Sequence, residues 1–156
     1  LKRVIRALEF TRETGEKISD HNEEQRKRQA AYDTVFFVLT MEREKLYRRI
    51  DLRVDQMMEA GLLEEVKRLR AKGYHKGMVS MQGLGYKEIL SWLDGEISYE
   101  EAIYLLKRDT RHFAKRQLTW FRREKDTIWM NKDEFDYNED RILDEMLKVC
   151  RDRGIL

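Results

Sequence analysis

The stretch LLKRDTRHFAKRQLTWFRREK, residues 105–125, guides the interpretation of the whole chain. Its apolar residues recur at about the 3.6-residue period of an α-helix, so the pattern predicts one long amphipathic helix. On a helical wheel, one narrow sector holds Arg108, Arg111, Lys115, Thr119 and Arg122. The opposite sector, expected to pack, holds Leu106, Phe113, Ala114, Gln117, Trp120 and Phe121.

This stretch carries eight Lys or Arg residues and only two acids, Asp109 and Glu124. Such a cationic face is typical of a surface that meets phosphate. A solvated amphipathic helix with a basic bias explains the same pattern equally well, so both interpretations stay open here. The tail over residues 126–156 has five basic and nine acidic residues, so charge is unevenly distributed despite a net charge of +2.

Length and composition predict one mostly helical domain in a reducing compartment. The 156 residues are enough for one core. The absence of proline and a charged content of 40% favour long solvated helices. Cys150 is the single cysteine, which excludes an internal disulfide, and its helical surroundings favour a core or half-exposed thiol over a nucleophile. The sequence has no apolar run long enough for a membrane span and no signal-peptide pattern, so we expect a soluble cytoplasmic protein.

Helical periodicity and stop signals divide the chain into short elements. A first helix over residues 1–14 should pack through Val4, Ala7, Leu8 and Phe10 and stop at Gly15. The polar residues 17–31 predict a loop or a frayed helix. Ser98 and Glu101 form a capping-box pattern that starts the long basic helix. Further helices are predicted over residues 42–60, 62–71, 86–93 and 138–151.

Two strands are predicted, TVFFVLT at residues 34–40 and TIWM at residues 127–130. The first is a continuous apolar run, as expected in a parallel sheet that is covered on both faces. Two strands are too few for such a sheet, and the first helix begins in mid-pattern. We therefore expect sequence outside this chain to supply the remaining strands.

Two smaller features, Arg53 and the glycine pair Gly83 and Gly85, are each compatible with anion binding and with a purely structural role. The predicted core face of the helix over residues 42–60 consists of Leu46, Ile50, Val54 and Met57. Arg53 falls in the middle of that face, between Arg49 and Met57 on the helical wheel, where a guanidinium needs a partner. A salt bridge, snorkelling past the core edge or a fork presented to phosphate would each satisfy it. Gly83 and Gly85 precede a helix, where backbone N–H groups can approach an anion, although such pairs are commonly plain turns.

Other chemistries have no support in the sequence. His21, His75, His112 and Cys150 have no metal-ligand spacing, so no metal is predicted on this chain's own side chains. Neither a P-loop motif nor a nucleophile elbow is present.

Four stretches in order carry a family resemblance. They are LKRVIRALE at residues 1–9, RIDLRVDQMMEAGLLEEV at 49–66, SMQGLGYKE at 80–88 and AKRQLTWFR at 114–122. Together they resemble the tRNA dimethylallyltransferases, also called tRNA isopentenyltransferases, and correspond to the C-terminal half of such an enzyme. The P-loop and the aspartate base of the family would lie in an N-terminal half outside this chain.

The resemblance implies an α/β fold with an incomplete P-loop-kinase-like core, mostly helical in this chain. Residues 1–30 would end a helical insertion that grips tRNA, and residues 31–156 would complete the catalytic core. The implied reaction transfers a dimethylallyl group from dimethylallyl diphosphate to N6 of the adenine next to the anticodon. Partners would be the tRNA anticodon stem-loop and dimethylallyl diphosphate, with a monomeric enzyme and a Mg²⁺ site in the absent half.

The resemblance also assigns roles to residues. Arg53 matches the arginine at the diphosphate and is the implied catalytic residue. The implied tRNA-binding residues are Lys2, Arg3, Arg6, Gln82, Gly83, Gly85, Tyr86, Lys87, Arg111, Lys115, Arg116, Gln117, Thr119 and Arg122. Trp120 has two interpretations, a base-stacking residue or a core residue, and its position on the packed side of the helix favours the core. The role of Tyr86 stays open.

Two alternatives remain beside the tRNA enzyme. One is a non-catalytic RNA-binding module that keeps the basic face. The other is a prenyltransferase acting on free adenine nucleotide, which would have no need of an extended cationic track. Whether the protein is the tRNA enzyme or the RNA-binding module, this chain alone is expected to show no transfer activity.

Overall fold

The computed structural model describes residues 1–27, 32–124 and 126–156. By its own contacts the chain divides into two compact units, Leu1–Thr34 and Val35–Gly154. We describe each unit separately. The predicted mostly helical character is confirmed, because helices dominate both units and the described strands are short.

The first unit is a pair of helices, α1 (Lys2–Thr14) and α2 (Ile18–Lys27). Gly15 ends α1 as predicted, with φ of +76° and its N–H donated to the carbonyl oxygen of Thr11. The predicted loop or frayed helix is a helix over Ile18–Lys27, and the remainder of that prediction lies outside the described residues.

The predicted packing of α1 is wrong in part. Val4 and Leu8 are exposed, whereas Ala7 is half-buried and the ring of Phe10 lies 5.0 Å from that of His21. The reason is the polar composition of α2, ISDHNEEQRK, which offers almost no apolar surface to cover the middle of α1.

The second unit contains five helices and two strands within the described residues. They are β1 (Phe36–Thr40), α3 (Arg43–Glu59), α4 (Leu62–Ala71), α5 (Tyr86–Leu93), α6 (Tyr99–Phe121), β2 (Thr127–Asn131) and α7 (Glu139–Asp152). Short 3₁₀ turns lie at Val79–Gln82 and Lys132–Phe135. These bounds agree with the predicted elements to within two residues, except that α6 ends at Phe121 and Lys125 is not described.

The two strands pair in parallel, as the apolar first strand predicted. Phe36 lies opposite Thr127 and Thr40 lies opposite Asn131, so both carboxyl ends meet at one edge. In the described part of the chain this sheet has two strands. A parallel pair needs a long crossover, and here α3 to α6 all lie between β1 and β2 in sequence.

The core lies where α3, α4, α5 and the first half of α6 converge. Val54, Val66, Ile89, Leu90 and Leu106 are each at most 2% exposed and form one cluster. Burial of such a side chain stabilises the fold by about 1.5–3 kcal/mol. This cluster therefore holds α6 in place by its N-terminal half and leaves the rest of α6 to project beyond the core.

A polar brace joins the start of α3 to the segment after β2. The Asp133 carboxylate accepts the backbone N–H of Glu42 at 2.7 Å and the Tyr137 hydroxyl at 2.6 Å, and it also pairs with the Lys45 ammonium. Hydrogen bonds from Lys45, Tyr137 and Glu42 lower the pKa of Asp133 from 3.8 to about 2. The brace fixes the N-terminal end of α3 beside the sheet.

No helix in residues 1–27, 32–124 and 126–156 combines the length and apolar character needed to cross a membrane.

Candidate functional site

In the first half of α6, the basic side chains Lys107, Arg108 and Arg111 form ion pairs within the molecule. Lys107 pairs with Asp55 at 2.6 Å and Arg111 pairs with Asp51 at 2.5 Å, so two ion pairs about one helical turn apart link α6 to α3. Arg108 pairs with its neighbour Asp109 at 2.8 Å, which lowers the pKa of Asp109. The predicted RNA-binding residue Arg111 thus already has an intramolecular partner.

The second half of α6 is different. Lys115, Arg116, Arg122 and Arg123 make no ion pair with any residue that the structure describes, and all four are exposed. We call these four residues the free cationic end of α6. Because their charges have no partner among the described residues, they remain available to an external anion.

A cavity of about 220 Å³ lies between the carboxyl end of β1, the N-terminus of α3 and this end of α6. We call it the β1 pocket. Its lining contains no acidic side chain and consists of Thr40, Met41, Arg43, Leu46, Tyr47, Lys115, Leu118, Thr119 and Arg122. Ligands of open α/β sheets bind outside the carboxyl ends of the strands, which is where this pocket lies.

The electrostatics of the β1 pocket favour an anion with several oxygens. Arg43, Lys115 and Arg122 supply three cations from two helices. The N-terminal end of α3 adds little to them, because the Asp133 carboxylate already accepts the Glu42 N–H there and Glu44 lies in the first turn. The Arg43 guanidinium is held in place by Tyr47, because its Nε donates to the Tyr47 hydroxyl at 3.1 Å and it lies 5.2 Å from the ring centroid.

Arg43 is a candidate site residue that sequence reasoning missed. Its signal was present, since it follows the strand TVFFVLT by three residues and opens the next helix. That position places a side chain at the carboxyl edge of a parallel sheet.

The predicted position of Arg53 in the middle of an apolar face is wrong. Arg53 is exposed, while its neighbour Val54 is 2% exposed and faces the core. The other members of the predicted core face are confirmed, since Val54 is buried and Leu46, Ile50 and Met57 are half-buried. Asp51 and Asp55 on this helix form ion pairs with α6. Arg53 makes no ion pair within the described ranges and does not line the β1 pocket.

The GLGYKE loop is fixed by Glu88, a residue that sequence reasoning did not select. Glu88 is 4% exposed, and its Oε2 accepts the backbone N–H of Gly85 at 2.9 Å. The Gly85 N–H is therefore not available to an anion, contrary to one interpretation of the glycine pair. Gly85 has φ of +98° and a Cβ there would lie 3.4 Å from Leu62, so this tight turn requires glycine.

Lys87 is placed between two carboxylates. Its ammonium lies 3.3 Å from Oε1 of Glu88 and 3.5 Å from Oδ2 of Asp109. Oε1 of Glu88 is buried and has no hydrogen bond of good geometry, so Lys87 provides only electrostatic compensation. Of the neighbouring predicted residues, Gln82 and Gly83 are exposed.

The open role of Tyr86 has a structural answer. Its hydroxyl donates to the Glu65 carboxylate at 2.6 Å, and this bond raises the pKa of Tyr86. The side chain thereby ties α5 to α4 and is half-buried.

The prediction that Trp120 is a core residue is wrong. Trp120 is 55% exposed, and Phe113, two turns earlier on the same sector, is 45% exposed. The core cluster ends at Leu106, so Phe113 and Trp120 lie beyond it, whereas Phe121 of the same sector packs against Phe36 on β1. The remaining predicted residues of this helix, Gln117 and Thr119, are also exposed.

The cations of α1, Lys2, Arg3 and Arg6, are exposed on the first unit and make no ion pair inside the described residues. They oppose the helix dipole at the N-terminus of α1, which has no acidic residue in its first turn.

Across the part of the chain that the structure describes, no three His, Cys, Asp or Glu side chains come together as ligands. The lining of the β1 pocket likewise offers no carboxylate to a divalent cation.

Comparison with known proteins gives consistent matches. The sequence model of the IPP transferase family matches residues 1–124. A tRNA dimethylallyltransferase of Lachnoclostridium phytofermentans is 58% identical over 157 residues, covering 100% of this chain and 50% of that protein. One of Acetivibrio thermocellus is 55% identical, covering 89% of this chain and 44% of that protein.

Solved structures agree with these sequence matches. A tRNA isopentenylpyrophosphate transferase from Staphylococcus epidermidis superposes with a TM-score of 0.75 at 38% identity, covering 97% of this chain and 48% of that one. The enzyme from Bacillus halodurans gives 0.74 at 41% identity, covering 96% and 44%. The chain thus spans about half the length of the curated relatives and solved structures that it matches.

Proposed function

The chain belongs to the IPP transferase family, and from this premise we propose that the protein is a tRNA dimethylallyltransferase. It transfers a dimethylallyl group from dimethylallyl diphosphate to N6 of the adenine beside the tRNA anticodon. The observation that carries the proposal is the 58% identity over the whole chain to a tRNA dimethylallyltransferase. The β1 pocket also supports it, because its lining contains three cations and no acid and therefore suits phosphate oxygens.

The reaction needs a good leaving group, because N6 of adenine is a weak nucleophile. Breaking the allylic C–O bond leaves negative charge on the diphosphate, and cations fixed in advance stabilise that charge. The diphosphate contact proposed from the family resemblance is Arg53. The β1 pocket, which Arg53 does not line, is proposed to hold phosphate oxygens through Arg43, Lys115 and Arg122.

The remaining proposed roles concern fold and tRNA. We assign residues 1–30 to a helical insertion that grips tRNA, with Lys2, Arg3 and Arg6 near phosphate. Residues 31–156 then belong to a P-loop-kinase-like core. The free cationic end of α6 and the exposed Gln82 and Gly83 are proposed tRNA contacts. A monomeric state and a cytoplasmic location stay predictions.

Mg²⁺ would neutralise diphosphate oxygens in such an enzyme. We assign no residue of this chain to it, because the described residues contain no ligand cluster. The contribution of this chain to the leaving group is therefore proposed to be cationic side chains only.

A second candidate is a non-catalytic RNA-binding module. One observation favours it: the β1 pocket is lined by no carboxylate, so none of its lining groups is placed to take the proton from N6. In the enzyme, that base would have to come from elsewhere in the protein.

The test is a transfer assay with the full-length protein, unmodified tRNA and dimethylallyl diphosphate, followed by mass spectrometry of the released nucleosides. We expect dimethylallyl-adenosine from tRNA and none from free adenine nucleotide. Binding of tRNA without product would favour the RNA-binding module. Equal product from free adenine nucleotide would contradict tRNA as the acceptor.

A further inference from the structure

Trp120 lies in an exposed setting that none of the roles above explains. It contributes to a broad surface hollow of about 490 Å³ whose other lining residues are His112, Lys115, Arg116, Thr119 and Arg123. An exposed indole is unusual on a surface because its large apolar area stays in contact with water. Here it is surrounded by three Lys or Arg side chains and a histidine.

The indole is braced on one side and open on the other. Its ring meets that of Phe121 edge to face, with centroids 5.2 Å apart. Phe121 in turn lies 5.8 Å from Phe36 on β1. This aromatic chain anchors Trp120 to the sheet, so the ring offers a supported flat surface to a ligand.

The surrounding charge identifies the kind of ligand. Lys115, Arg116 and Arg123 make no ion pair with a described residue, and the hollow has no acidic lining residue. An aromatic face amid unpaired cations matches a strand that carries phosphates outside and bases with π-faces inside. A protein partner would instead be expected to meet an apolar patch that is depleted of charged residues at its centre, whereas three cations surround Trp120 here.

We propose that Trp120 is a stacking platform for one unpaired base of bound RNA, with Lys115, Arg116 and Arg123 contacting the flanking phosphates. The inference rests on the proposed function for its RNA partner, and adds the residue that recognises an unstacked base. Sequence-tolerant stacking of this kind is how proteins hold single-stranded segments.

Phe113 provides a matched control on the same helix. It is similarly exposed, but the Arg116 guanidinium lies 5.9 Å from its ring centroid and covers one face. Loss of the Phe113 ring should therefore affect RNA binding less than loss of the Trp120 ring. Trp92, packed edge-on against Tyr99 at 5.2 Å, is the control for fluorescence.

The experiment measures binding of the full-length protein to two RNAs: a hairpin with an unpaired loop and a fully paired duplex of equal length. Trp120→Ala should weaken hairpin binding about 5- to 150-fold, the usual value of one stacked base. Trp120→Phe should restore most of it, and Phe113→Ala should cost much less. Duplex binding and the salt dependence should stay unchanged in Trp120→Ala, since no cation is lost.

A second measurement covers the case of a poorly folded variant. Hairpin RNA should quench the tryptophan emission of the double variant Trp92→Phe/Trp129→Phe, but not after the further change Trp120→Phe. Equal losses on hairpin and duplex, or quenching that persists without Trp120, would overturn stacking. Stacking would also be overturned if acrylamide failed to quench the fluorescence of Trp120 in the wild type, because another part of the protein would then cover the ring. Failure of the wild type to bind either RNA would instead overturn the proposed function itself.

Discussion

At the scale of single residues, exposure separates a chemical role from a structural one. Arg53 has no described ion-pair partner and does not belong to the core, so its removal should leave folding intact. Glu88 and Tyr86 have the opposite character, since both are tied into the α4–α5 region by hydrogen bonds.

Arg53→Ala in the full-length enzyme should lower kcat by about 10²-fold, as expected for loss of one preorganised electrostatic group. Its melting temperature should match the wild type, because no internal contact is lost. Arg49→Ala, an exposed cation on the same helix, is the control and should retain normal turnover. Turnover of Arg53→Ala at the wild-type rate would remove Arg53 from the leaving-group site.

The Asp133 brace predicts acid sensitivity. The folded-state pKa of Asp133 is about 2, below its ordinary 3.8, so its stabilisation is present above pH about 4 and is lost as pH falls toward 2. In urea titrations between pH 2 and 5, Asp133→Asn should remove part of this pH dependence. Asp136→Asn, which alters an exposed pair with Arg141, should leave it nearly unchanged. Identical pH profiles for the wild type and Asp133→Asn would contradict the brace.

At the scale of elements, stop and cap signals were readable from sequence, but the orientation of helical faces was not. Gly15 ends α1, and Ser98 caps α6 by accepting the Glu101 N–H at 3.1 Å, both as predicted. These signals are local, so they survive without knowledge of the neighbours. The faces at Arg53 and Trp120 were misplaced because packing partners decide them, and a helical wheel does not contain those partners.

Ion pairs between separate helices could not be predicted from helical periodicity either. The Asp51–Arg111 and Asp55–Lys107 pairs join residues about fifty to sixty positions apart in the chain. Nothing in the spacing within α6 distinguishes these paired cations from the unpaired Lys115 and Arg122. The structure therefore changes which part of the basic helix is expected to bind RNA.

The double variant Lys115→Gln/Arg122→Gln should weaken tRNA binding and reduce the slope of log K against log salt by about 1.4–1.8, for two lost phosphate contacts. The pair variant Arg111→Gln/Asp51→Asn keeps net charge and should leave that slope unchanged. Fluorescence anisotropy at several salt concentrations measures both. An unchanged slope in the first variant would make the free cationic end a merely solvated surface.

The core cluster makes its own prediction for α6. Leu106 is 1% exposed and is the last buried residue along that helix. Leu106→Ala should lower the free energy of unfolding by about 2–5 kcal/mol. Leu118→Ala, on a half-buried later turn, should cost clearly less in chemical denaturation. Equal losses would mean that the core extends farther along α6 than the structure indicates.

At the scale of the whole molecule, the proposed anion-binding cations of the chain have no general base beside them. The β1 pocket has no carboxylate in its lining, and no described metal-ligand cluster compensates. Residues 1–156 as a separate protein should therefore bind anticodon stem-loop RNA but transfer no dimethylallyl group. Detectable dimethylallyl-adenosine from this protein would show that the chemistry lies within these residues.

The charge arrangement of α6 has a consequence for how RNA arrives. One half of the helix is neutral toward the outside because α3 and Asp109 supply its counter-charges, whereas the other half is positive. A polyanion approaching from solution therefore experiences a torque as well as an attraction, and it is turned toward one end of the helix before contact. The changes Asp51→Asn and Asp55→Asn would remove the asymmetry, because Arg111 and Lys107 would lose their counter-charges. The whole helix would then attract RNA equally, so RNA would associate faster but in mixed orientations.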